Sequence, residues 1–167
     1  MAICSAVRRP PEADAGAREI EGEVAKPGVV PPPPDRPFTD ADAAHLAGLP
    51  RLQTLRLIDA DVTDAALAHL SDSTELAELS LRGTRITDAG LEHLAGLKNL
   101  EVFRVNDAPI TDAGLEHLRG LQNLKKLGVY RTRVTPEGAR RLMKTLPLLQ
   151  VDSEFDVEPP DHPDFLD

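Results

Sequence analysis

Four histidines, His45, His69, His93 and His117, recur at a constant step of 24 residues, a series that invites a metal-binding hypothesis. Zinc needs its nitrogen ligands about 2 Å from one ion. Copies of one position on stacked coils lie at least about 5 Å apart, so only neighbouring pairs could share an ion. No cysteine supports them, because the single cysteine, Cys4, lies far outside the series. Each histidine stands beside core positions, as in Glu92-His93-Leu94, which turns it outward on a helix. The fifth copy carries Arg141 instead. The series reads as a repeated surface position, and no metal or cofactor is expected. The sequence also lacks GxSxG, HExxH, Walker and GxGxxG motifs. Cys4 has no partner base beside it, so a catalytic thiolate is not expected either. The chain reads as a protein without enzymatic activity.

The histidines belong to a larger repeat. The strings VTDAALAHL, ITDAGLEHL and ITDAGLEHL begin at Val62, Ile86 and Ile110, with FTDADAAHL at Phe38 and the looser VTPEGARRL at Val134. A second series, Leu52, Leu76, Leu100, Leu124 and Leu148, keeps the same step of 24, as do Leu55, Leu79, Phe103, Leu127 and Val151. Within a unit the apolar period changes. Leu79 and Leu81 alternate, as in a short strand, whereas Leu91, Leu94 and Leu97 fall on one face of a short helix. Thr39, Thr63, Thr87, Thr111 and Thr135 stand where an N-cap is needed. Aspartate follows in four copies, favourable at the positive helix end, and Pro136 follows in the fifth. Gly48, Gly96 and Gly120 supply left-handed exits. One such unit cannot bury its apolar face alone, so stacking is what makes it fold.

LQTLRLID, LAELSLRG, LEVFRVND and LKKLGVYR follow the pattern LxxLxLxx, and the chain resembles the leucine-rich repeat family over about residues 38–155. The TDAGL helix start is similar to the subclass found in bacterial repeat proteins and in substrate receptors of cullin-type ubiquitin ligases. The resemblance implies an α/β solenoid, curved, with parallel strands on the concave face and short helices on the convex face. Ala60, Thr84, Ala108 and Thr132 stand where the family usually places a laddering asparagine.

Charge and proline divide the chain into three parts. Residues 1–37 hold six acids and five bases, residues 38–151 hold 15 acids and 14 bases, and residues 152–167 hold seven acids and no base. Most of the formal charge of −9 is therefore an acidic tail on a near-neutral domain. Eleven of the 15 prolines lie outside the central part, including Pro31 to Pro34, which read as a stiff spacer. The organisation expected is a Pro-rich, disordered segment at 1–37, a repeat domain of about five units at 38–155, and an acidic tail at 156–167. No apolar run approaches the roughly 18 residues of a membrane span. The opening MAICSAVRRP is a poor secretory signal, so a cytoplasmic protein is expected. A near-neutral domain with one tyrosine and no tryptophan is not expected to bind nucleic acid.

What remains is the solvent-facing side of the strands. Its variable positions include Arg56, Ile58, Arg82, Arg104, Asn106, Lys126, Tyr130 and Arg131. Tyrosine and arginine dominate binding energy in protein interfaces, and these eight residues are the candidate partner-binding set. The function expected is a protein–protein interaction module of unknown partner. The alternatives are a substrate-recognition component of a larger enzyme complex and a structural scaffold. An acidic tail beside a face rich in arginine also suggests that the two could meet.

Overall fold

The computed structural model describes Ile3–Arg8 and residues 37–47 and 51–155. The proline run at 31–34, Gly48 and the tail at 156–167 lie outside the described residues. The strands are β1 (Ile3–Arg8), β2 (Leu52–Ile58), β3 (Glu78–Ser80), β4 (Val102–Arg104), β5 (Lys126–Gly128) and β6 (Gln150–Asp152). The helices are α1 (Asp40–Ala43), α2 (Asp64–Ala68), α3 (Asp88–Leu91), α4 (Asp112–Glu116) and α5 (Pro136–Thr145). They form an α/β solenoid with one open sheet whose strand order follows the sequence.

The period change read from the sequence is what builds each coil. Alternation turns Leu79 and Leu81 inward, the helical spacing brings Leu91, Leu94 and Leu97 to meet them, and all five are fully buried. From β2 to β6 the pairing is parallel, and Leu55, Leu79, Phe103, Leu127 and Val151 lie side by side. Backbone bonds tie coil to coil on both sides of these rows. Ala77 N–H donates to Gln53 at 2.8 Å, Glu101 to Ala77 at 2.8 Å and Lys125 to Glu101 at 2.8 Å. Beyond the strands the ladder continues through a left-handed residue in each coil: Asp59, Gly83, Asp107 and Arg131, with φ of 52°, 67°, 60° and 51°. That conformation lets the N–H groups of Asp59, Gly83 and Asp107 reach the carbonyls of Arg82, Asn106 and Tyr130. Only one of the four is glycine, so interstrand hydrogen bonding outweighs a strain of about 1 kcal/mol at the others.

Two expectations change. Sequence analysis placed residues 1–37 in one disordered segment, yet Ile3–Arg8 forms β1, antiparallel to β2, with Ile3 opposite Ile58 and Ser5 opposite Arg56. Among the described residues no coil precedes the first, and β1 pairs with the edge of β2 that they would otherwise leave open. Leu148, read as a core leucine, is 77% exposed, while Leu146 and Leu149 are buried. The end of the longer α5 advances Leu146 and Leu149 by one residue, where Leu149 N–H bonds Leu146 as Leu124 bonds Leu121, and β6 restores the step of 24 with Val151 beside Leu127.

The helix starts hold a ladder that the cap assignment only half describes. Thr63 donates its N–H to Asp40 Oδ1 and its hydroxyl to Asp40 Oδ2, both at 2.8 Å. The same two bonds join Thr87 to Asp64 at 2.7 and 2.6 Å, and Thr111 to Asp88 at 2.8 and 2.6 Å. Thr135 repeats them on Asp112, both at 2.7 Å. Each aspartate thus serves the coil after its own. The hydroxyls of Thr63, Thr111 and Thr135 also accept a helix N–H, because one proton and two lone pairs permit both roles, whereas Thr87 makes no such cap bond. Glycine in TDAG leaves room for this aspartate. A Cβ on Gly90, Gly114 or Gly138 would stand 2.4, 2.4 or 2.1 Å from Oδ1 of Asp64, Asp88 or Asp112. In the first described coil the Thr39 N–H and hydroxyl both bond Asp42 Oδ2 at 2.9 Å. Asp42 occupies the place of those glycines, so the first coil closes the ladder on itself. Pro136, where the other coils have aspartate, ends it.

Candidate functional site

The parallel register lays the solvent-facing residues of the sheet in rows. One row runs Thr54, Glu78, Val102, Lys126 and Gln150, and the next runs Arg56, Ser80, Arg104, Gly128 and Asp152. Glu78 lies between two arginines on neighbouring strands and takes both. Arg56 approaches with Nε at 3.3 Å and Nη2 at 3.0 Å from Oε1, and Arg104 Nη1 lies 3.0 Å from the same oxygen. Further along, Asp107 repeats the arrangement. Arg82 Nε is 3.2 Å from its Oδ2, and Arg131 Nε is 3.0 Å from its Oδ1. Four guanidiniums are therefore held by two carboxylates, as two Arg–carboxylate–Arg triads.

Each carboxylate offsets the repulsion between two cations that would otherwise splay apart. The carboxylates are about three-quarters covered, at 24% and 26% exposure, whereas the arginine side chains remain 41–68% exposed. A guanidinium has five N–H donors, and a carboxylate partner uses one or two of them. The rest face solvent with the fork already oriented, which lowers the entropy lost on meeting an acidic group. Lys126 is exposed and makes no ion pair among the described residues. Tyr130 is 43% exposed, and Ile58 and Val102 are half-buried beside the charges.

All eight residues chosen from the sequence lie at least partly open. Asn106 has a different role. Its Oδ1 accepts the Tyr130 N–H at 2.9 Å, and it reaches across Gly128, whose absent Cβ would stand 3.0 Å from that oxygen. Asn106 holds the backbone beneath Tyr130. Sequence reasoning missed the two carboxylates as organisers, although Glu78 and Asp107 were legible as acids among bases. Ser80, also solvent-facing by alternation, is buried beneath the flanking Arg56 and Arg104 positions. On the opposite side, His45 and His93 are exposed and His69 and His117 half-buried. Among the described residues no group of three or more His, Cys, Asp or Glu could hold a metal ion.

No protein-family model matches the sequence, and no curated protein matches it. Solved structures do. The crystal structure of internalin C2 from Listeria monocytogenes is similar over 65% of this chain, at 28% identity and a TM-score of 0.56. The chain spans less than half of that protein, covering 44% of its length. A leucine-rich repeat protein of Leptospira interrogans matches over 65% of this chain and 27% of its own, at 23% identity and a TM-score of 0.52. No described helix is long and apolar enough to cross a membrane. With its 24-residue coils, in-order parallel strands and these structural neighbours, the chain has the leucine-rich repeat fold.

Proposed function

We propose that the protein is a non-enzymatic interaction module that binds a protein partner through the concave sheet face. The observation that carries this reading is the contrast between a strictly repeated frame and the aperiodic, charge-organised surface laid on it. The core rows, the Thr–Asp pairs and the ladder bonds recur from coil to coil. Arg56, Arg82, Arg104, Lys126, Tyr130 and Arg131 follow no repeat, so packing does not require them. Oriented guanidiniums beside Tyr130, Ile58 and Val102 combine the residue types that form interface hot spots. A near-neutral domain with one exposed aromatic among its described residues supports a protein partner over nucleic acid. A cytoplasmic setting belongs to the same proposal, and cell fractionation tests it.

Affinity purification with mass spectrometry tests the reading directly. A partner recovered with the unchanged chain is lost with Arg56→Glu and Arg104→Glu, and kept with the convex-face substitution His93→Glu. A partner that survives both concave reversals moves the interface elsewhere. A structural scaffold with no concave-face partner would show no difference between the variants.

A further inference from the structure

β2 is the longest of the parallel strands. It pairs Thr54, Leu55 and Arg56 with β3, whereas with β1 it pairs from Leu52 to Ile58. β1 differs from every other strand of the sheet. It is antiparallel, it lies outside the 24-residue repeat, and residues 9–36 separate it from the first coil. Its register slips between Val7 and Arg8. The first coil meanwhile completes its own helix start, with Thr39 bonded to Asp42. β1 is thus a strand added to a coil built without it, which is how an extended peptide joins an exposed sheet edge.

We infer that the outer edge of β2 is a strand-accepting site, filled by β1 in the free chain and taken over by an extended segment of a partner protein. β1 itself shows the chemistry that fits. Opposite the buried Leu55 and Leu57 stand Ala6 and Cys4, both small and uncharged. Opposite Thr54, Arg56 and Ile58 stand Val7, Ser5 and Ile3. Successive residues of any strand point to opposite faces. A partner segment therefore presents small uncharged residues at the first two positions and β-branched or polar ones at the other three. Main-chain bonds supply its affinity and the alternation its selectivity. Exchange leaves the frame intact, because β1 is the end strand of the sheet and both the parallel ladder from β2 to β6 and the Thr–Asp pairs form without it. As part of the same chain, β1 competes at a high effective concentration and sets the affinity that a partner strand must exceed. The backbone of β2 makes this site, so it stands apart from the arginine triads.

The probe is a fluorescent peptide with the sequence of residues 2–9, serine replacing Cys4, read by anisotropy against the full chain. Val7→Cys with Thr54→Cys, in a Cys4→Ser chain, sets two thiols on opposed residues of the antiparallel pair, within disulfide reach. Oxidised, this chain holds β1 in place and takes no peptide. Reduced, it binds the peptide, and the amides of Leu55 and Leu57 shift as it does. Ser5→Pro with Ala6→Pro removes two successive N–H groups, one of which faces β2, and so weakens β1. The peptide then binds about tenfold or more tightly than to the unchanged chain, because the edge is more often open. A peptide carrying aspartate at the Ala6 position does not bind. Equal binding to the oxidised and reduced chains overturns the proposal, as does a reduced chain that takes no peptide. A crosslink joining two copies overturns it too, by placing β1 of one copy on β2 of another. Each outcome leaves capture of a partner by Arg56 and Arg104 standing, since that assay reads side chains and this one the β2 backbone.

Discussion

The helix starts and the concave face both pair side chains of one coil with side chains of the next, to opposite effect. At the helix starts one aspartate meets one threonine, and two hydrogen bonds consume both carboxylate oxygens. The pair repeats from Asp40 to Thr135 and closes at Asp42 and Pro136. On the concave face two cations meet each anion, the cations stay half exposed, and the pattern holds for one pair of triads only. Saturated, periodic polar pairs fix the spacing of coils. Under-neutralised, aperiodic ones present oriented charge to something else. The difference is one of stoichiometry and partner: a threonine N–H and hydroxyl saturate each aspartate, whereas each guanidinium keeps donors to spare.

Substitutions can break or sharpen that contrast. The core sets the upper scale: Leu127→Ala, fully buried between coils, costs about 2–5 kcal/mol in chemical denaturation. Next comes the ladder. Asp88→Ala removes both acceptors of Thr111 and strands its N–H, for a loss of about 2–3 kcal/mol, while Asp88→Asn retains one acceptor and loses less. If Asp88→Ala costs no more than an exposed substitution, the ladder does not hold the coils together. A finer test compares two threonines. Thr111→Val loses a cap bond as well as the bond to Asp88, so it costs about 0.5–1 kcal/mol more than Thr87→Val, which has no cap bond to lose. The smallest effect on stability falls on the concave face. Glu78→Gln changes the unfolding free energy by under about 1 kcal/mol, because its arginine partners are largely solvated. The same change weakens the tie between Arg56 and Arg104, which alters partner capture without unfolding the protein. A large stability loss there would make the triads part of the frame.

Much of this was legible before any coordinates. The 24-residue step of Leu79, Phe103 and Leu127 required coils stacked in register, and alternation placed Arg56, Arg82 and Arg104 on the solvent side. Other features were written in the sequence but assigned to the wrong neighbour. Thr87 and Asp64 were read as a local cap and a dipole charge, because sequence rules describe a helix alone. Their dominant contact crosses to a residue 23 positions away. Gly114 lies against Asp88 of the preceding coil, a close approach that local helix rules do not describe. Leu148 failed because the burial phase slips by one between α5 and β6 and is recovered at Val151, a local offset that periodicity counted from earlier coils cannot register.

The sequence by itself determined the coil. Its length, its inward leucines, the point where strand gives way to helix, and the need for many copies all follow from apolar period and the cost of burying too little. Tertiary structure alone decided which polar groups meet across coils. Burial depends on residue type and local phase, which a string displays. A hydrogen bond depends on where two distant backbones bring their side chains, to within a few tenths of an ångström. That is why Asp64 chose Thr87, why Glu78 took two arginines, and why β1 found the open edge of β2.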